Sequence, residues 1–168
     1  MDLHSVDDVK KILGLTPHPR EGGWFRRTYE SPEFMTTGGS GEDGARRTCT
    51  AIYYLLEPDT FSEMHCLASD EIFHHYMGGA VEMLQLLPDG KSETVVIGGD
   101  LVAGQRPQVV VPRGVWQGSR LMRPEGFALL GCTVSPGFEY ADYETMARED
   151  LIERWPGKAE GIKRLMRG

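Results

Sequence analysis

The stretch HCLASDEIFHHYMGG, residues 65–79, places a histidine, an acid six residues later and a histidine pair three and four residues beyond that. Imidazole nitrogens and a carboxylate at close range serve three different ends. They ligate a transition metal, they form an acid/base pair, or they satisfy one another inside a packed strand. Side chains alternate along a strand, so Glu71, Phe73 and His75 share one face while Ile72, His74 and Tyr76 take the other. His65 lies on a preceding strand, with Leu67 on its face.

These residues need a scaffold, and the chain's punctuation says which. From residue 48 to 135, short apolar and β-branched runs (TCTAIYYLL, EIFHHYM, AVEMLQLL, QVVV, FALLGCTV) are separated by turn signals such as Glu57-Pro58-Asp59, Gly78-Gly79 and Pro88-Asp89-Gly90. Strands at roughly ten-residue spacing with no helix between them predict an antiparallel sandwich or barrel. A helix is predicted at the start, where Ser5 caps, Asp8 completes a capping box, and Gly14 stops a run carrying Val9, Ile12 and Leu13. Helix returns only at 143–154 and in a last amphipathic turn or two. Residues 36–47, TTGGSGEDGARR, read as a glycine-rich mobile loop.

At 168 residues the chain suits one domain, with the barrel core at about 20–140. The net charge of −7 disfavours nucleic acid or an anionic membrane as partner. The acidic, polar start lacks the apolar core of a secretion signal, and no run approaches the ~20 apolar residues of a membrane span. Cys49, Cys66 and Cys132 lack framework or CxxC spacing and read as reduced thiols of a cytosolic protein.

His65, Glu71 and Gly78 fit the first motif of the cupin superfamily, and Pro112-x-Gly114-x-x-Gln117 fits the second. Further marks are Glu21-Gly22-Gly23 with Arg26, Ile52-Tyr53 ahead of paired leucines, Asp70-Glu71, DLVAGQRPQVVVPRG and GCTVSPGF. With these the chain resembles a family of small, single-domain, uncharacterised cupins. The resemblance implies a mainly all-β fold, a jelly-roll (double-stranded β-helix) barrel with short terminal helices, like that of the sugar-nucleotide epimerase cupins. It also implies a homodimer and a pocket inside the barrel, and Trp24–Tyr29 is the expected dimer interface. It implies no settled reaction.

Metal-binding cupins use three histidines and a glutamate. Here His65 and Glu71 match, while Leu67 and Gln117 stand in the other two positions. The expectation is therefore no cofactor, with His65, Glu71 and His75 as the set to consider if a metal binds. Glu71 and His65 are the catalytic candidates. A carboxylate facing an apolar interior should hold its proton to higher pH and act as acid or base, although pairing with His65 or Arg26 would make it structural. Tyr53, Phe73, His75, Gln117, Arg26 and Glu21 are the ligand-binding candidates, with Tyr53 placed by resemblance alone. The functions this leaves open are an acid/base isomerase or epimerase on a carbohydrate-like or carboxylated metabolite, a metal-dependent dioxygenase or sugar isomerase, and a non-enzymatic binding or storage-like dimer.

Overall fold

The structure, a computed structural model, describes residues 5–36 and 44–167. Helix α1 (Val6–Leu13) opens it, and the capping box is formed: the Ser5 hydroxyl accepts from Asp8 N–H while the Asp8 carboxylate accepts from Ser5 N–H. Gly14 at φ +63° ends the helix in the left-handed conformation. The strands follow in order: β1 (Thr16–Pro17), β2 (Trp24–Glu30), β3 (Phe34–Thr36), β4 (Ala45–Arg47), β5 (Thr50–Leu56), β6 (Phe61–Leu67) and β7 (Asp70–Gly78). Then come β8 (Val81–Leu86), β9 (Ser92–Ile97), β10 (Gln108–Val111), β11 (Trp116–Leu121), β12 (Ala128–Ser135) and β13 (Tyr143–Glu144). Helices α2 (Arg148–Arg154) and α3 (Ala159–Arg164) close the chain.

Two antiparallel sheets face each other, one ordered β1-β2-β5-β12-β7-β10 and the other β13-β6-β11-β8-β9. This is the jelly roll that the strand spacing and motif pair predicted. Of the stretch expected to be a loop, residues 37–43 lie outside the described residues. Thr36 ends β3, and Ala45–Arg47 form β4, paired with it.

The space between the sheets is filled by Tyr54, Leu56, Phe73, Met83, Ile97, Leu130 and their neighbours. The outer faces are covered by the chain's own termini. Val9 and Leu15 pack with Leu55, Leu129, Trp24 and Tyr53 on the first sheet. Leu151, Trp155, Ile162 and Leu165 pack with Met64, Leu84 and Trp116 on the second. Trp24, expected at a dimer interface, is thus partly covered by α1, whereas Tyr29 stays half exposed.

Two backbone irregularities set the site. On β6 the register slips against β11, four residues (Ser62 to His65) facing three (Gln117 to Ser119). This bulge turns Ser62 and His65, three apart, onto the same inner face, which strict alternation forbids. The second is the Gly22-Gly23 pair, at φ +101° and +68°. A Cβ on Gly22 would lie 2.3 Å from the Phe61 carbonyl oxygen. Only glycine lets the chain pass this close to β6 and carry Glu21 into the barrel. Gly22→Ala is expected to cost about 1–3 kcal/mol from backbone strain alone, read as a lower midpoint in urea denaturation.

Candidate active site

β7 contributes Glu71, held between Val134 of β12 and Val111 of β10. β6 and β11 contribute the facing pair His65 and Gln117 from the opposite sheet. Gln117 Nε2 donates to Glu71 Oε2 at 2.5 Å, so this hydrogen bond spans the barrel interior from one sheet to the other. Both residues are buried, Gln117 almost completely.

Burial pushes the Glu71 carboxyl up to about 8, and the nearby Glu21 carboxylate adds to the shift; the Gln117 amide and the Cys132 thiol oppose it by donating. Gln117 Oε1 has no partner among the described residues. A protonated Glu71 and a Gln117 amide turned by half a revolution would pair O–H to Oε1 instead. The amide therefore serves either protonation state, which an imidazole ligand at this position could not do as simply.

Two histidines flank the carboxyls in opposite tautomers. His65 Nδ1 lies 2.7 Å from the Glu63 carbonyl oxygen, which only accepts, so Nδ1 carries the hydrogen. In the neutral ring Nε2 then keeps the lone pair. The ring stacks on Tyr143 at 4.8 Å between centroids, which fixes its plane. His18 is the reverse. Its Nδ1 accepts the N–H groups of Arg20 and Glu21, leaving Nε2–H 3.8 Å from Glu21 Oε2. Burial lowers the His18 pKa despite the opposing pull of Glu21, and protonating Nδ1 would break both backbone bonds. Glu21 also accepts from the Ser62 hydroxyl, and the Tyr54 hydroxyl donates to the Gly22 carbonyl beside it.

His65, Glu71, Glu21, His18 and Cys132 line one cavity with the apolar Leu67, Ile52 and Val134. The cavity has a volume of about 30 Å³ and opens to solvent. That is room for about two waters. The mouth is a ring of Phe25, His18, Tyr140 and Phe138, with centroid separations of 4.6, 6.4 and 5.2 Å around it.

Of the residues singled out in the sequence, the structure brings together Glu71, His65, Gln117 and Glu21. It sends the other four elsewhere. Tyr53 faces outward from β5 against the α1 cluster and the Tyr76 ring, and Tyr54 is the tyrosine turned inward. Arg26 alternates outward on β2 and caps α1, its Nη1 donating to the Leu13 carbonyl at 3.0 Å. Arg27 lines the cavity in its place, paired with Glu30. Arg26→Met is expected to cost about 1 kcal/mol of stability and to leave ligand affinity within two-fold by calorimetry. Phe73 is fully buried in the barrel core. His75 stands four residues along β7 from Glu71, about 13 Å at strand rise, and its Nε2 pairs with the Gly79 carbonyl.

The cupin metal set therefore does not fit. Leu67 has no ligating atom, Gln117 is engaged with Glu71, and no group of three His, Cys, Asp or Glu side chains among the described residues is placed to share an ion. His18, Phe25, Arg27, Cys132, Phe138 and Tyr140 escaped the sequence reading. Alternation along β2 marks Phe25 and Arg27, and the GCTVSPGF stretch contains Cys132 and Phe138, while neither signal reaches His18 or Tyr140.

The profile of the family described as "Cupin superfamily (DUF985)" matches residues 7–146. The chain belongs to this cupin family. It is 34% identical over 148 residues to the uncharacterized protein YML079W of Saccharomyces cerevisiae, covering 82% of this chain and 74% of the yeast protein. Among solved structures, protein SO0799 of Shewanella oneidensis is similar at 34% identity and TM-score 0.86, over 98% of this cupin and 99% of that chain. A hypothetical protein from Leishmania major is similar at 28% identity and TM-score 0.89, over 98% of this cupin and all of that chain. Oxalate decarboxylase of Bacillus subtilis shares the fold at 14% identity and TM-score 0.54, over 90% of this cupin and 37% of the decarboxylase.

Proposed function

We infer that this cupin is an acid/base enzyme of the isomerase or epimerase type. Its substrate is a small polar metabolite with a carbon-bound hydrogen next to a carbonyl. His65 Nε2 takes that hydrogen as a proton. Glu71, as the carboxylic acid, hydrogen-bonds to the carbonyl oxygen and gives its proton as the enolate charge develops there. A water on the opposite face that gives that carbon a proton, with His65 and Glu71 resetting by exchange with solvent, epimerises it. Where the carbon bears a hydroxyl, His65 instead returns its proton to the former carbonyl carbon while the Glu71 carboxylate takes the hydroxyl proton, which isomerises the substrate.

The observation that carries this reading is the pairing of a buried Glu71 carboxyl, pushed up to about 8, with a His65 tautomer locked by the Glu63 carbonyl. A buried carboxyl that keeps its proton, lining the same cavity as an imidazole whose Nδ1 is committed to a backbone carbonyl, offers the acid and the Nε2 acceptor such a reaction needs. We further propose that the chain works as a homodimer, with the exposed Tyr29 and Phe34 near the contact. Sedimentation at tens of micromolar tests this, and a species of one chain mass contradicts it.

The catalytic test is proton NMR in D₂O. The protein is incubated with a panel of keto sugars, ketose phosphates and 2-oxo acids, and loss of the hydrogen next to the carbonyl is followed. Exchange by the wild-type protein, lost in His65→Asn, supports the reading. No exchange across the panel, with ligands nonetheless protecting the protein from thermal unfolding, favours a binding module instead.

A further inference from the structure

The cavity opens to solvent but holds only about two waters, so seating a larger metabolite against Glu71 and His65 requires part of the wall to move. The wall segment best placed to do so is 136–142, which carries Phe138 and Tyr140 of the aromatic mouth. Its two ends are fixed by backbone. At one end Gly137 N–H donates to the Arg47 carbonyl at 2.8 Å, and Phe138 N–H to the Thr50 hydroxyl at 2.9 Å. A Cβ on Gly137 would stand 3.0–3.2 Å from Thr50 and Arg47, so the chain lies tight against β4 and β5 there. At the other end β13 pairs with β6, Tyr143 opposite Leu67.

Between these anchors the attachment is of a different kind. Arg46 of β4, itself 8% exposed, reaches across with its guanidinium fork. Nη1 donates to Glu139 Oε2 at 2.7 Å and Nη2 to Asp142 Oδ1 at 2.8 Å. Tyr140, bracketed by these two carboxylates, is 40% exposed and lies under the Arg20 guanidinium at 5.2 Å. The rings of Phe138 and Tyr140 also rest on Arg27, Arg20, His18 and the Leu67–Val134–Tyr143 cluster, but the charged Arg46 fork is the tie with direct hydrogen bonds to the centre of this strap.

We propose that residues 136–142 are the lid of the acid/base cavity and that Arg46, through Glu139 and Asp142, is its latch. Opening swings Tyr140, with Glu139 and Asp142, away from the mouth and admits the ligand. Closing returns Glu71 and His65 to a water-poor enclosure, where the Glu71 carboxyl holds its proton. The inference rests on reading the cavity as the functional site, but its test needs no turnover.

Cys132 lines the cavity beside Glu71, whereas Cys66 is buried in the separate cluster under the C-terminal helices. The rate at which methyl methanethiosulfonate modifies each thiol, read by peptide mass mapping, separates a local opening from a global one. Arg46→Met is expected to speed Cys132 modification at least ten-fold while Cys66 stays at its wild-type rate. Glu139→Gln with Asp142→Asn, which keeps the arginine and serves if Arg46→Met folds poorly, is expected to give a smaller rise with the same selectivity. An unchanged Cys132 rate in both variants overturns the latch. Cys132 and Cys66 rising together also overturns it, because the cavity would then be reached only by unfolding. If the latch behaves as stated and no panel compound exchanges its proton, the lid stands and the isomerase reading fails.

Discussion

Replacing Glu71 by Gln is expected to lower kcat/KM for the proton-transfer reaction by roughly 10²- to 10⁴-fold, the range a positioned general acid supplies. The amide is nearly isosteric and still hydrogen-bonds to Gln117, so ligand affinity should change far less than turnover. The pH profile follows from the sign of the shift. The acid must hold its proton to act, and burial pushes the Glu71 carboxyl up to about 8, so wild-type kcat/KM should fall as pH rises through that region. Glu21→Gln removes the neighbouring negative charge that helps keep Glu71 protonated, so the falling limb should move to lower pH. A profile unmoved by Glu21→Gln would mean that the two carboxyls do not act on one another.

The same group makes the fold sensitive to alkali. In the unfolded chain Glu71 would release its proton near the ordinary 4.5, whereas the folded protein keeps it to about 8. Between these values the unfolded state binds fewer protons than the folded one, so stability falls as pH rises and levels off above about 8. At about 1.4 kcal/mol per pH unit, the loss from this group alone approaches roughly 4–5 kcal/mol. Gln at 71 does not titrate. Urea denaturation of Glu71→Gln should therefore lack this component, matching wild type near pH 5 and exceeding it by several kcal/mol near pH 8.5. Equal stability at both pH values would mean that the wild-type carboxyl is solvated.

The barrel was legible in the sequence because its signals are local: strand-length apolar runs, turn residues between them, and the capping box at Ser5. The Glu71–His65–Gln117 centre was legible through motif spacing, and Glu21 through the glycine pair beside it. What was not legible depends on bulges and on faces. The slip on β6 that puts Ser62 beside His65 leaves no mark in residue types. Tyr53 and Arg26 were assigned inward, but each is one residue out of phase with the neighbour that does face the cavity or the acids, Tyr54 and Arg27. A shift of one residue along a strand exchanges the two faces of a sheet. His75 was on the expected face, and the rise along β7 carried it out of reach of Glu71. His18 and the 136–142 strap come from segments far apart in sequence, meeting only where the first sheet closes over the barrel mouth.

The most direct test of a protonated Glu71 acid beside a basic His65 is the infrared spectrum of the protein between pH 5 and 10, taken as a difference against Glu71→Gln. A carboxylic acid C=O band that persists at pH 7, titrates away near pH 8 and is absent in the variant is the predicted result. A Glu71 signal already in the carboxylate form at pH 6 would contradict it, and with it the assignment of Glu71 as the acid.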